Sequence, residues 1–394
     1  LVLSLLLVSV LLSSPGTGTH SPHNSPLTEG IRGCQAQSGG FTHTIMHYTP
    51  ETLHETLLDM STGPKVSIQV FPAAPPHYDL LSYLDYTPLE RDQGWAGNCW
   101  VWASTGVMEV SLAVQTGIED RLSIQYFDSN YQSGQGCGWA GCGGNLGQFS
   151  QFYSGTGQTI PWSNTKASYG DYYQCCTGPV DPRHIVGCPS TGCGSSSVPA
   201  SSISLSPKYQ FSSINYEYLN QPTTIDAIKS VLLQNRALYF AFTLPDEDAW
   251  QDFGSYWWDQ PESDAYDMSN YDGHTYDYNT GGGHAVLLVG YDDTNPADRY
   301  WILVNSWGTT PGRPNGIFHV KMDMNYESQL YDPTPGGGWF YNLWWGTLNI
   351  RWAYGAEISE LSVVPDPSGV GQGSKMIFTV TVQNTGSNDM SSAK

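Results

Sequence analysis

Basic residues are scarce in this chain of 394 residues. Lys and Arg together number 15 against 36 Asp and Glu, which gives a formal net charge of −21. Charged residues of both signs make up 13% of the chain, about half of the usual share of roughly 25%. Because a surface of this charge repels phosphate, we expect no nucleic-acid partner.

A long apolar run is also missing. The most apolar stretch, Leu1–Leu12, is shorter than the ~20 residues that a membrane span needs, so we expect no stable membrane insertion. Ser-Pro-Gly follows it directly, which favours the apolar part of a secretory signal peptide, within residues 1–19, over a buried segment. Neither a Met nor a basic leader precedes the run, so we expect the sequence to begin inside the signal. These features predict a secreted or cell-surface protein.

The rest of the chain divides into three regions. Residues 20–76 hold a polar stretch, a short helical pattern that Thr49 would cap, and the breaker-rich linker FPAAPP. Residues 77–356 are dense in aromatic and apolar residues and predict a folded domain. Residues 357–394 resemble the start of a small β-sandwich module that is cut off after two strands. Such modules suggest association with a cell surface.

Within the central region the patterns change from helix to strand. Cys99–Thr116 predicts a helix closed by Gly117, and Ile225–Gln234 predicts a second helix after a Thr cap. Strands are then expected to dominate, and they are predicted at Ala237–Thr243, His284–Tyr291, Tyr300–Asn305 and Gly316–Lys321.

Three residues of this region have the types that nucleophilic catalysis needs. Cys99 begins the first helix, where free backbone N–H groups and the helix dipole favour the thiolate. His284 starts an apolar strand and can donate a proton to a leaving amine near neutral pH. Asn305 lies at the end of the next strand and can orient the imidazole. Together they predict cysteine nucleophile chemistry.

The segments around these residues resemble the papain family of cysteine proteases. Three motifs occur in the family's order, namely QGxxGxCW at 93–100, GHAVxxVGY at 283–291 and YWxxxNSWG at 300–308. The resemblance implies an α+β, papain-like two-lobed fold, with Cys99 on a helical lobe and His284 and Asn305 on a β-barrel-like lobe. It also implies protein or peptide substrates and no cofactor, and we see no spacing typical of a metal site.

Family roles carry over residue by residue. The resemblance implies that Cys99 is the nucleophile, His284 the acid and base, and Asn305 the residue that orients His284. It also implies that Gln93 donates a hydrogen bond to the oxyanion. Three further residues are expected at the substrate site: Gly143 and Gly144 as the glycine-rich cleft wall, and Trp307 as a cover that shields the His–Asn pair from water.

The chain also departs from the family pattern. His284 follows Cys99 by 185 residues, whereas about 130–150 are usual, so extra residues are expected at 178–202 and 260–282. The usual half-cystine before the nucleophile is Ala96 here, and its customary partner, placed at Cys142, must pair elsewhere.

Cysteine number agrees with export. Residues 20–76 resemble a prosegment, and its removal would take Cys34 with it. Without Cys34 and the nucleophile, six of the eight cysteines remain, which allows 15 connectivities. Cys188 and Cys193 are the pair that we favour.

We therefore predict a secreted cysteine endopeptidase made as a proenzyme. Two alternatives keep the scaffold: a catalytically retired binding or adhesion protein of the cell surface, and a transpeptidase of the same chemistry. Residues 246–277 carry ten carboxylates and no Lys or Arg. We expect part of this acidic stretch near the cleft rim, where it either attracts cationic substrates or forms a solvated loop.

Overall fold

The computed structural model describes residues 45–69, 71, 74–85, 87–132, 139–172, 174, 195–353, 356–364 and 377–384. Its helices are α1 (Pro50–Thr62), α2 (Cys99–Thr116), α3 (Ile124–Asn130), α4 (Leu146–Thr156), α5 (Ile225–Leu232) and α6 (Glu247–Asp259). Its strands are β1 (His77–Asp79), β2 (Gln158–Thr159), β3 (Tyr209–Tyr218), β4 (Leu238–Leu244), β5 (Ala265–Tyr266), β6 (Gly282–Asp292), β7 (Tyr300–Val304), β8 (Ile317–Lys321), β9 (Gln329–Tyr331), β10 (Trp339–Tyr341), β11 (Leu343–Trp352), β12 (Ala356–Val364) and β13 (Ile377–Asn384).

Some predictions fall outside the described residues. The predicted signal peptide at 1–19 is one of them. The others concern the cysteines Cys34, Cys137, Cys175, Cys176, Cys188 and Cys193. Cys142 is described and is disulfide-bonded.

Helix α2 is the central helix of the domain. It begins at Cys99, as predicted, and ends at Gly117, which adopts the left-handed conformation with φ 71° and donates its N–H to Ala113 O. Most of its side chains are buried all around the helix, because it packs against β4, β6 and β11. A helix buried on every side is rigid, so Cys99 has a fixed position.

Strand β6 lies in the middle of the sheet. Among the described residues, nine strands form one sheet, in which β3, β11, β4, β6, β7 and β8 are successive neighbours and β1 adds to β6. Antiparallel pairing places His284 of β6 beside Phe242 of β4, and β7 runs beside β6 and ends directly before Asn305. The predicted strands are confirmed to within two residues at each end.

The second half of the domain is more helical than the sequence patterns predicted. Residues 247–259 of the acidic stretch form α6, which Asp246 caps by accepting the N–H of Ala249. Trp250, Phe253 and Trp257 then bury one face of the helix. The expectation that strands dominate after residue 237 is therefore wrong for this segment. Strands β3 and β11, which the sequence patterns do not predict, pair with each other over seven residues.

The α+β class is confirmed. The helical part carries Cys99 and the sheet carries His284 and Asn305, which is the arrangement that the papain resemblance implies. Strands β12 and β13 pair only with each other in an antiparallel hairpin within the described residues. Since two strands do not make a sandwich, the β-sandwich module stays a prediction. None of the helices in the described part of the chain combines the length and the apolarity needed to cross a bilayer.

Candidate active site

Cys99 lies at the first turn of α2, where backbone N–H groups are not used within the helix. Asn98 O accepts the N–H groups of Val101 and Trp102 at 2.8 and 3.2 Å. The backbone N–H groups of Cys99, Trp100 and Ala285 point to the sulfur and lower its pKa. Burial acts more strongly, because the side chain is 0% exposed, and it raises the pKa of the Cys99 thiol to about 12. The covered cysteine is therefore held as the thiol.

His284 and Asn305 form the hydrogen bond that the sequence predicts. His284 Nε2 lies 2.8 Å from Asn305 Oδ1, and the same oxygen accepts the backbone N–H of Ser306 at 2.8 Å. Both side chains are buried. Because Nε2 is turned to Asn305, Nδ1 lies on the other side of the imidazole, and the ring orientation is fixed.

Trp307 covers this pair. Its ring stacks on the His284 ring with centroids 4.5 Å apart and an interplanar angle of 27°, and the indole is 1% exposed. Phe242 meets the imidazole edge-on at 5.6 Å. The indole and the phenyl ring keep water from the His–Asn hydrogen bond.

Helix α6 holds Trp307 in place, which the sequence patterns did not predict. Phe253 and Trp257 pack against the indole at 5.6 and 5.8 Å with steep interplanar angles. Their spacing of four residues after an Asp cap is the signal that could have identified the helix. Residues of the acidic stretch thus hold the Trp307 indole against the His284 ring.

Gln93 connects the motif at 93–100 with the motif at 300–308. Its backbone N–H donates to Ser306 O at 2.8 Å, and its side-chain Oε1 accepts from Ser306 Oγ at 2.7 Å. The side-chain Nε2 donates to Ala96 O at 2.7 Å. An amide nitrogen carries two hydrogens, so this bond occupies one of them. The Gln93 side chain is fully buried.

The glycine-rich segment at 143–144 packs on helix α2, which begins at Cys99. Gly143 adopts φ +106°, and a Cβ on Gly144 would lie 2.5 Å from the indole of Trp100. Gly141 O accepts the N–H of Gly97 at 2.7 Å. Close packing therefore requires glycine at position 144. The hydrogen bond between Gly141 and Gly97 brings the glycine-rich segment beside the loop that leads to Cys99.

An N-terminal segment crosses the site, and this segment was not predicted from the sequence. Met46 and Gly283 exchange two backbone hydrogen bonds of 2.8 Å, directly before His284. A Cβ on Gly97 would lie 3.3 Å from Ile45 O. We call residues 45–48 the cleft segment, since they lie between the Cys99 side and the His284 side.

Tyr48 is the buried anchor of the cleft segment. The phenol is 6% exposed, and its electrostatic interaction with Cys99 adds to the burial that raises its pKa. Two glycines make room for the segment. A Cβ on Gly283 would lie 2.5 Å from the Tyr48 hydroxyl, and one on Gly282 would lie 2.6 Å from Ile45 Cδ1. Cys99 and His284 are therefore covered by the chain itself.

Much of the acidic stretch is engaged in local structure. Asp252 accepts the hydroxyls of Tyr266 and Tyr271 at 2.7 and 2.8 Å. Asp277 accepts the hydroxyl of Thr280 at 2.7 Å, in the turn that leads into β6. In the part of the chain that is described, no three His, Cys, Asp or Glu side chains are grouped so as to hold a metal ion.

Residues 260–333, which include His284 and Asn305, match the sequence model of the papain family of cysteine proteases. This stretch of the chain is similar to that family. The resemblance drawn from the motifs is thereby confirmed.

Several curated cysteine proteases are similar to this chain. A gut-specific cysteine proteinase of Caenorhabditis elegans is 24% identical over 59% of this chain and 63% of its own. A cathepsin B-like protein of Giardia intestinalis is 26% identical over 65% and 72%. A viral cathepsin of Epiphyas postvittana nucleopolyhedrovirus is 47% identical, but only over 16% of this chain and 19% of its own. The chain thus spans less than two thirds of the first and last of these relatives.

Solved structures give a weaker comparison. Digestive procathepsin L 3 of Tenebrio molitor superposes with a TM-score of 0.42 at 20% identity, covering 73% of this chain and 80% of that one. A score this low carries no argument about the fold, which rests on the helices and strands described above.

Proposed function

We propose that the chain is an exported cysteine endopeptidase, made as a proenzyme, that hydrolyses peptide bonds through Cys99, His284 and Asn305. One observation carries the proposal: His284 is bonded to Asn305 at 2.8 Å beneath a stacked Trp307, and Ala285, the next residue of the strand, points its N–H to the Cys99 sulfur. A thiol, an imidazole and an orienting amide in this order can perform acyl transfer.

The reaction would proceed in two halves. The Cys99 thiolate attacks the peptide carbonyl carbon, and the oxygen becomes an oxyanion that the Cys99 N–H and the Gln93 amide stabilise. His284 gives its proton to the leaving amine as the C–N bond breaks, which leaves an acyl-enzyme. A water molecule, deprotonated by His284, then attacks the thioester and releases the acid and the thiolate.

The cleft segment supports the proenzyme part of the proposal. Ile45–Tyr48 cover Cys99, and the Tyr48 ring adds to the burial that disfavours the thiolate. Cleavage in the linker at 71–76 would free residues that precede it, including α1, and uncover the site. Exposure would lower the pKa of Cys99, because burial is the main cause of its rise.

Composition supports export. The apolar run Leu1–Leu12, the shortage of lysine and the number of cysteines are typical of secreted proteins. The disulfide at Cys142 agrees with an oxidising compartment. The hairpin of β12 and β13 would belong to a module with a role at the cell surface.

Peptide hydrolysis tests the proposal. The activated protein should cleave a panel of fluorogenic peptides, and Cys99→Ala should abolish cleavage while its circular dichroism and melting temperature stay close to those of the parent. Gln115→Ala, at the far end of the same helix, serves as the matched control and should keep full activity. Wild-type turnover by Cys99→Ala would overturn the assignment. N-terminal sequencing of the active form should find a start at 71–77.

A further inference from the structure

The docking of α1 on the domain uses a carboxylate seat that lies outside the catalytic residues. Tyr216 and Tyr218, both on β3, donate their hydroxyls to Asp59 of α1. The hydroxyl of Tyr216 lies 2.7 Å from Oδ1 and that of Tyr218 lies 3.2 Å from Oδ2. Each carboxylate oxygen thus receives its own donor. We call Tyr216, Tyr218 and the adjacent Gly147 the carboxyl seat.

Gly147 completes the seat by having no side chain. It is the second residue of α4, and a Cβ at this position would lie 2.7 Å from both oxygens of Asp59. The positive end of α4 therefore faces the same carboxylate that the two phenols bind. Any other residue at 147 would close the space.

The seat also offers backbone groups to an extended chain. Tyr218 donates its N–H to Pro64 O at 2.8 Å and accepts the N–H of Val66 at 3.0 Å. These partners belong to the N-terminal segment, so its removal would free one donor and one acceptor on an open strand. A side-chain seat beside a free backbone pair is the arrangement that binds an extended peptide.

The carboxyl seat is linked to the neighbourhood of Cys99 through adjacent strands of the sheet. A Cβ on Gly346 would contact both Leu146 and Tyr218, at 2.7 and 2.8 Å, and Gly346 pairs with Tyr239 of β4. Tyr239 is fully buried and interacts electrostatically with Tyr48 and Cys99. The seat on β3 and the neighbourhood of Cys99 are thus linked through the adjacent strands β11 and β4.

The spacing along α1 gives the length of substrate that would reach the seat. Asp59 follows Pro50, the first residue of α1, by nine positions, which is about 14 Å along a helix at 1.5 Å per residue. An extended peptide covers this distance in about four residues at ~3.3 Å each. The substrate side chain in the seat would thus lie about four residues from the one that takes the place of Pro50.

We infer that the activated enzyme uses Tyr216, Tyr218 and Gly147 as a binding site for an acidic side chain of its substrate, at a distance from the cleaved bond. The inference rests on the proposed function, because the seat becomes free only when the N-terminal segment leaves. Two phenol donors match two carboxylate oxygens, whereas a carboxamide has one acceptor oxygen and an NH₂ group that cannot accept. Glutamate or aspartate is therefore favoured over glutamine.

Internally quenched peptides test this site. The full-length protein, activated by limited proteolysis, is assayed on peptides that carry a single Glu, or Gln in its place, at each position two to six residues from the cleaved bond on either side. Because burial raises the pKa of the carboxyl group in the seat, the comparison is made at a pH near the ordinary pKa of a carboxyl group. We expect one position at which kcat/KM for Glu exceeds that for Gln by about tenfold, the ratio typical of one lost hydrogen bond. A ratio near one at every position would overturn the inference.

Variants assign the preference to the seat. Tyr216→Phe, and Tyr216→Phe combined with Tyr218→Phe, should bring the Glu-to-Gln ratio down to about one. Because both kcat/KM values of a ratio are measured with the same variant, a general loss of activity lowers both values equally and leaves the ratio unchanged. Tyr331→Phe, on an exposed tyrosine of β9, is the matched control and should keep the ratio. An undiminished ratio in Tyr216→Phe would place the preference elsewhere and refute the seat.

A binding measurement covers the case in which the double variant does not fold. A synthetic peptide of residues 45–69 should inhibit the activated enzyme about tenfold better than the same peptide with Asp59→Asn, and equal inhibition would contradict the seat. Failure of this inference is distinct from failure of the proposed function. If no peptide is cleaved and Cys99 reacts with no thiol reagent, the enzyme assignment fails. If peptides are cleaved without an acidic preference, only the seat fails.

Discussion

Replacement of Tyr48 by alanine should uncover Cys99, the proposed nucleophile, in the full-length chain. The phenol is 6% exposed and packs beside Gly283 and Cys99. Removal of a buried aromatic side chain costs about 3–5 kcal/mol. If about 3 kcal/mol of this stabilises the docked cleft segment, its loss raises the population of the uncovered state by roughly a hundredfold, since each 1.4 kcal/mol is a factor of ten.

The reaction of Cys99 with a small thiol-directed reagent at pH 7 measures this population. We expect labelling of Tyr48→Ala to be about a hundred times faster than that of the unprocessed parent, and to approach the rate of the activated enzyme. Leu58→Ala changes an exposed residue of α1 (62% exposed) and should leave the rate unchanged. If Tyr48→Ala reacted as slowly as the parent while the activated enzyme reacted quickly, the cleft segment would not be what protects Cys99.

Three further outcomes are expected. Asn305→Ala should lower kcat by at least about tenfold with a smaller change in KM, because the imidazole loses its orienting bond, and an unchanged kcat/KM would show that another group orients His284. Burial raises the pKa of Asp59, which faces Tyr216, Tyr218 and Lys65. The contribution of Asp59 to the docking of α1 is therefore present below its ordinary pKa and is lost as pH rises through the raised value. Release of the N-terminal segment should speed up over that pH range in the parent and less in Asp59→Asn, and equal pH profiles would contradict this. Added salt should reduce kcat/KM more for Lys- or Arg-containing peptides than for neutral ones if the acidic stretch attracts cations, and a parallel response would leave the stretch as a structural element.

The elements of the candidate site could be predicted because their signals are local. Cys99 follows a glycine-rich loop and starts an apolar helical pattern, and His284 and Asn305 lie on or next to short apolar strands. In each case the residues that form the element also position the side chain. Motif spacing therefore indicated the elements, and the structure has them at the expected places.

The missed elements depend on contacts between distant parts of the chain. Met46 pairs with Gly283, and nothing in the polar sequence around Met46 indicates a partner in the other half of the molecule. Helix α6 was missed because its carboxylates suggested a solvated loop, whereas the partners of its buried face, among them Trp307 and Phe318 of β8, come from other parts of the chain. The α1 seat likewise depends on Gly147 and β3 coming together in the fold.

Identification of the labelled residue tests the central claim most directly. The activated protein is treated with an epoxysuccinyl reagent at neutral pH, digested and mapped by mass spectrometry, with His284→Ala as the parallel sample. The account predicts one adduct, on Cys99, formed rapidly in the parent and at least about a hundred times more slowly in His284→Ala, since the thiolate then lacks its imidazole partner. An unmodified Cys99 in a protein that still cleaves peptides would contradict the assignment of this residue as the nucleophile.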